Sequence, residues 1–316
     1  MKVVTLPVLS VAVSGGRVYA LLKESDGRLS LASFNRELEV EDKLAALKGS
    51  RGFVLDAWRD SLLFSVDNKL YALRGGEVKS VLRAHLPVNI FWHATRANGH
   101  VYVQEYGESP TGIFELDRDY ESSRLLITNR DLDKGSKHFH SVVYDPFRGW
   151  LVATLGDGNL LRVAVSANGG ENWRPLYRGP WQFVPIVPLK DTIVFGMDSG
   201  IARGGVGIYY PSKKRWRFIF LKWINERVKL AQMSDLKLLS NGLWVAALGT
   251  PQAIVVSKDL KTWYPLYVEG FDEHFNHYMQ VSVGEDFIAC STGRSLLVFR
   301  KDEVYNALNK SEPAMA

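Results

Sequence analysis

Short runs of strand-forming residues alternate with polar turns along almost the whole chain, and only from Asp302 onward does the pattern become helical and polar. The unit is clearest between residues 141 and 177. Ser141-Val142-Val143-Tyr144 predicts one strand, Asp145-Pro146-Phe147-Arg148-Gly149 a turn, and residues 150–155 a second strand. Gly156-Asp157-Gly158-Asn159 then turns into the run 160–165, and residues 166–172 turn into Trp173-Arg174-Pro175-Leu176-Tyr177. The same order of apolar runs recurs at 242–248, 253–256 and 263–267.

Seven such units follow one another. The last strong residues of their third runs are Ser33, Tyr71, Phe114, Val165, Tyr209, Val255 and Val298, at successive separations of 38, 43, 51, 44, 46 and 43 residues. Each separation suits one four-stranded antiparallel sheet, so the chain is expected to be an all-β, seven-bladed β-propeller forming a single domain. The blades are placed at about 8–44, 52–82, 92–127, 138–178, 181–221, 230–268 and 274–300. The last has three strands, around 280–283, 287–291 and 295–300, and residues 2–6 form a spare strand that would complete it and remove an exposed edge. Residues 301–310 predict a short C-terminal helix on the rim.

Composition narrows the classes. With 46% apolar and 12% aromatic residues the chain can pack a core, and no run approaches the length of a membrane-spanning helix. Met1-Lys2-Val3-Val4-Thr5-Leu6-Pro7 does not read as a signal peptide, so a cytoplasmic location is expected. A single cysteine, Cys290 in the run Phe287-Ile288-Ala289-Cys290, excludes an intrachain disulfide and a thiolate metal cluster, and it reads as a buried thiol. The net charge of +5 is a mild excess. Its densest run, Lys213-Lys214-Arg215-Trp216-Arg217, falls at a predicted hairpin turn, so neither nucleic acid nor membrane is expected as a partner.

Two of the turns between third and fourth strands carry a recognisable sequence. Ser166-Ala167-Asn168-Gly169-Gly170-Glu171-Asn172-Trp173 resembles the S-x-D-x-G-x-x-W Asp-box of sialidase-like (BNR) repeats, with Asn168 in the Asp position. Ser257-Lys258-Asp259-Leu260-Lys261-Thr262-Trp263 keeps the Ser, Asp and Trp but is one residue shorter and has no Gly; residues 212–216 keep only a Ser and a Trp. The resemblance implies a structural staple on the face away from the active site. It does not extend to sialidase activity, because those enzymes use six blades, an arginine triad and a Tyr–Glu pair that have no counterpart placed here.

The site is instead sought on the opposite face, where the loops leading into the innermost strands and those joining second to third strands surround the channel mouth. There the sequence places Trp92-His93, His138-Phe139-His140, Trp181-Gln182, Gln232 and His277, with Glu105, Tyr106, Asp157 and Asp198 on the adjacent loops and Arg203 just beyond. His140, His93, Glu105, Asp157 and Asp198 are the candidate acid–base residues. Trp92, Tyr106, Trp181, Gln182 and Arg203 are the candidate substrate-binding residues, aromatic rings among polar groups being the usual surface for sugars. If a divalent metal such as Zn²⁺ or Mn²⁺ is bound, His93, His140 and His277 are its expected ligands. His85 and His100 have no such company and read as structural.

No P-loop, Rossmann fingerprint, zincin helix or nucleophile elbow is present. The expectation is therefore a carbohydrate-active or carbohydrate-binding propeller taking a sugar or an anionic glycan, with lyase and hydrolase chemistry both open. The alternative is a non-enzymatic propeller that binds a protein partner.

Overall fold

The computed structural model describes residues 1–59, 61–158, 160–198, 204–223, 232–249, 252–270 and 278–311. Seven sheets stand around a central channel, and in five of them the four strands are hydrogen-bonded in chain order. The innermost strands are Val8–Ser14, Gly52–Trp58, Ile90–Ala97, Ser136–Asp145, Phe183–Pro188, Met233–Leu238 and Gln280–Val283. They pack side by side around the ring, with the first against the last. Those of blades three to six start a few residues from the expected blade boundaries, whereas in blade seven the strand lies at 280–283 as expected and residues 274–277 lie outside the described residues. Blade six also carries an unexpected fifth strand, Lys222–Trp223, parallel to Thr262–Trp263.

Ring closure follows the expected plan. Lys2–Thr5 is the outer strand of blade seven, with Lys2 opposite Val298, Val3 opposite Leu297, Val4 opposite Leu296 and Thr5 opposite Ser295. Val4 and Leu6 also pack on the core shared by blades seven and one, which includes Val8, Phe34, Phe287 and Leu296. Similar apolar layers fill the other spaces between blades, so the core is a ring of sandwiches. The helix Lys301–Ser311 buries Val304 and Leu308 against blades six and seven.

The hairpins with the recognisable sequence are stapled as their residues suggest. Asn168 Oδ1 accepts from the Asn172 amide at 2.9 Å, Ser166 Oγ accepts from the Gly170 amide at 2.9 Å, and the Trp173 indole donates to the Gly170 carbonyl at 2.9 Å. Asp259, Ser257 and Trp263 repeat the arrangement in blade six, where Trp263 has no exposed surface. Asn35 and Asp117 cap the equivalent turns of blades one and three through amides of residues 37, 39, 119 and 121; Ser33 keeps the Ser position in blade one, but neither turn has the Trp.

A second recurring device shapes the channel. In six blades the pairing of the innermost strand slips by a β-bulge near its start, and the slipped residues include Leu55, Trp92, His140 and Val184. A bulge turns one side chain out of the alternation and frees a carbonyl. Polar side chains of the preceding blade take up these carbonyls: Ser65 Oγ donates to Phe91 O at 2.7 Å and Gln104 Nε2 to Phe139 O at 2.6 Å. Across the closure, Ser10 Oγ donates to Gln280 Oε1 at 2.6 Å and accepts from the Val54 amide at 2.8 Å.

Deletion of residues 1–7 removes the closing strand and leaves Ser295–Arg300 as an open edge. The truncated protein should be less stable by several kcal/mol in denaturant unfolding. Unfolding midpoints that coincide for the two proteins would show that pairing with Lys2–Thr5 contributes nothing to closure.

Candidate functional site at the channel mouth

The bulge positions converge on the channel, and what they bring there is mostly aromatic. Trp92 is 2% exposed and packs with Phe53, Ile90, Val184, Tyr106 and Tyr278 in a cluster drawn from blades two, three, five and seven. Its ring centroid lies 4.3 Å from that of Tyr278 and 4.7 Å from that of Tyr106. Trp92 is therefore the plug of the channel and has no free face for a sugar. Tyr106 and Tyr278, half-buried above it, join their hydroxyls at 3.0 Å. Burial raises the pKa of both phenols, so both stay protonated.

Beside this plug stand two buried histidines from blade four. His138 and His140 are separated by Phe139, which occupies the core; their i, i+2 spacing puts both imidazoles on the same side, and the bulge between Phe139 and Ser141 falls at His140. Their Nε2 atoms are 3.2 Å apart. His138 Nδ1 is 2.6 Å from the Gly107 carbonyl, and His140 Nδ1 is 3.1 Å from the Phe183 carbonyl and 3.5 Å from Asp198 Oδ2. Gly156 makes room for this arrangement, since a Cβ there would fall 1.7 Å from His140 Nε2. Burial and the neighbouring His140 bring the pKa of His138 down to about 4, so this ring is neutral at pH 7.

The acids divide. Asp157, about half exposed at a positive φ of 44°, places Oδ2 3.7 Å from His138 Nε2. Asp198 is held by Gln232, whose amide donates to its Oδ1 at 2.6 Å. Glu105 is turned away from the mouth, contrary to expectation. It is wholly buried and accepts from the amides of His85 and Gly112, from Asn89 Nδ2, and lies 2.5 Å from His85 Nδ1. This carboxylate ties down the loop into blade three, and His85, expected to stand alone, is its partner.

The remaining candidates are placed as follows. His93 stands next to the plug, its centroid 4.8 Å from that of Trp92, with Nε2 shut off from solvent and no hydrogen-bond partner. Burial lowers its pKa to about 4. Trp181 packs on Phe218 and Phe220 of the outermost strand of its own blade, away from the histidine pair. Gln182 contributes its carbonyl, which accepts from the Asp198 amide at 2.9 Å. Arg203 and His277 lie outside the described residues. Tyr278 and His138 enter the site without having been singled out for a role; the signal for His138 was its i, i+2 spacing from His140, which a strand places on one face. Among the described residues no three His, Cys, Asp or Glu side chains close on a metal as they stand. Cys290 is buried in the core between blades six and seven, where burial pushes its thiol pKa up and leaves it inert.

No family model and no curated protein matches the chain. Solved structures do match in fold. The extracellular domain of a one component system from B. thetaiotaomicron shares 9% identity at a TM-score of 0.68, over 94% of this chain and 38% of that one, so the chain spans well under half of that protein's length. Oligogalacturonate lyase from Vibrio parahaemolyticus shares 10% identity at a TM-score of 0.62, over 95% of this chain and 90% of the lyase. The protein YCF48 bound to D1 peptide shares 12% identity at a TM-score of 0.65, over 95% and 97% of the two chains. Identities this low carry the β-propeller fold and no chemistry.

The two depressed histidines make stability depend on pH in a definite direction. Unfolded, His93 and His138 take up protons below about 6.5, whereas in the folded protein they resist protonation down to about 4. Their stabilising contribution is complete above pH 6.5 and is lost as the pH falls towards 4, by up to roughly 1.4 kcal/mol per unit for each ring. In urea unfolding across that range, His93→Asn should flatten the slope relative to wild type; an unchanged slope would mean that His93 titrates normally.

Proposed function

We propose that this chain is a carbohydrate-active propeller that takes an acidic glycan at the channel mouth. The observation that carries this reading is the convergence on one mouth of the His138–His140 pair, the carboxylates of Asp157 and Asp198, and the joined hydroxyls of Tyr106 and Tyr278. Cleavage of a uronate-containing chain by elimination needs a base for the C5 proton, a donor for the departing C4 oxygen, and a positive partner for the sugar carboxylate. Asp198, or an imidazole when no cation is held, suits the first role and the protonated tyrosines suit the second. For the third, the sequence offers Arg203 or a cation held by the histidines. Both acids attend an imidazole, an arrangement that favours elimination over two-carboxylate hydrolysis.

The shared fold of oligogalacturonate lyase supports this substrate class. The repeated Ser, Asp or Asn, and Trp hydrogen bonds in the hairpins of blades four and six support membership of the sialidase-like Asp-box group. A second reading, a platform for a protein partner, is supported by the shared fold of YCF48 in complex with a peptide.

The test is to offer an oligogalacturonate and a neutral oligosaccharide of equal length to the full chain. The acidic sugar should raise the melting midpoint and give the ultraviolet absorbance of an unsaturated product, while the neutral one does neither. His140→Ala should lower turnover by about 10²-fold or more, and Tyr106→Phe should lower it with the fold intact. If neither sugar shifts the midpoint and no absorbance grows, the protein-platform reading replaces this one.

A further inference from the structure

The histidine pair presents a conflict in its hydrogen bonds. A carbonyl oxygen only accepts, so Gly107, 2.6 Å from His138 Nδ1, requires the proton on that nitrogen. His140 Nδ1 likewise faces two acceptors, the Phe183 carbonyl at 3.1 Å and Asp198 Oδ2 at 3.5 Å, and carries its own proton for the same reason. Each neutral ring then has only a lone pair at Nε2. Those two lone pairs face each other across 3.2 Å in a buried setting, with no hydrogen between them. Such a contact is repulsive until a positive species fills it.

We propose that His138 Nε2 and His140 Nε2 form one edge of a binding site for a divalent transition-metal ion of the Zn²⁺ class. Metal–nitrogen bonds of about 2.0–2.1 Å set two neighbouring tetrahedral ligands about 3.3 Å apart, which matches the observed separation. The outer hydrogen bonds also fit, because metal-bound histidines usually donate their other N–H to a carbonyl or carboxylate and so fix the tautomer. Asp157 supplies a third ligand by rotation of its half-exposed side chain, whose Oδ2 is already 3.7 Å from His138 Nε2. The ligand set thus replaces the expected trio of His93, His140 and His277 with His138, His140 and Asp157. Gly156 is part of the site, because any side chain there would displace the His140 ring.

Metal binding stands on these residues alone, whereas its use, to anchor the carboxylate of the sugar, rests on the reading above. Zinc should therefore be titrated into chelator-treated full-length protein by calorimetry with no sugar present. One equivalent is expected to bind, with affinity lowered at least tenfold in His138→Ala and in His140→Ala, and less in Asp157→Asn. Gly156→Ala should lose affinity while keeping both imidazoles, and His100→Ala, at the hairpin between the first two strands of blade three, should bind as wild type. Circular dichroism melts identify any variant that fails to fold, and Co²⁺ absorption in the wild type gives an independent reading of nitrogen ligation. Absence of zinc binding, or binding that survives both histidine substitutions in folded protein, would overturn the site. Zinc binding without any effect of an oligogalacturonate would leave the site standing and remove only the sugar.

Discussion

The pairing of Lys2–Thr5 with the third strand of blade seven is the constraint on which the rest depends. Blades are held to one another by apolar layers and a few inter-blade hydrogen bonds, each modest alone, and their positions around the channel are fixed only when the ring is shut. The site is built from residues of blades two, three, four, five and seven, and the contact it makes between blades three and seven requires the closed ring. Closure brings Tyr278, at the start of blade seven, within 4.3 Å of Trp92 in blade three. The polar belt works in the same direction, since Ser10 links blade one to Gln280 on one side and to Val54 on the other.

Within the closed ring the bulges decide what the channel contains. Regular alternation would send Trp92 and His140 into the layers between blades on the faces opposite Phe91 and Phe139. The slipped register turns them inward instead, and the carbonyls it frees are bonded by Ser65 and Gln104. A plugged channel with a polar mouth is the result. The aromatic plug removes water from beneath the histidine pair, which strengthens the electrostatic consequences of any charge placed there. That is why the direction of each Nδ1 proton matters more here than it would on a surface.

Much of the fold was legible because it rests on local signals: strand runs, turn residues, a blade short of one strand and a strand to spare. The site was legible only in part. His140, Asp157 and Asp198 were found because they sit at or near strand ends whose position follows from blade order. Glu105 was misjudged because its partners, His85 and Asn89 in the loop before blade three and Gly112 at the start of that blade's third strand, are not announced by anything in the Glu105-Tyr106-Gly107 run. Trp92 was taken for an open platform because alternation alone does not reveal a bulge. Trp181 lies just before its strand, where the chain can lean either way, and Phe218 and Phe220 draw it outward. The caps at Asn35 and Asp117 escaped because an acid or amide in a turn is too common to count as a signal.

The central claim is that two backbone carbonyls, those of Gly107 and Phe183, lock both imidazoles of the pair with their Nε2 lone pairs facing each other. Nitrogen-15 NMR of imidazole-labelled full-length protein at neutral pH reads this directly, because protonated and bare ring nitrogens have well-separated shifts. Protonated Nδ1 and unprotonated Nε2 are expected on both His138 and His140, with both Nε2 signals moving when zinc is added. A proton found on His140 Nε2 would make the pair an ordinary hydrogen bond and remove the facing lone pairs.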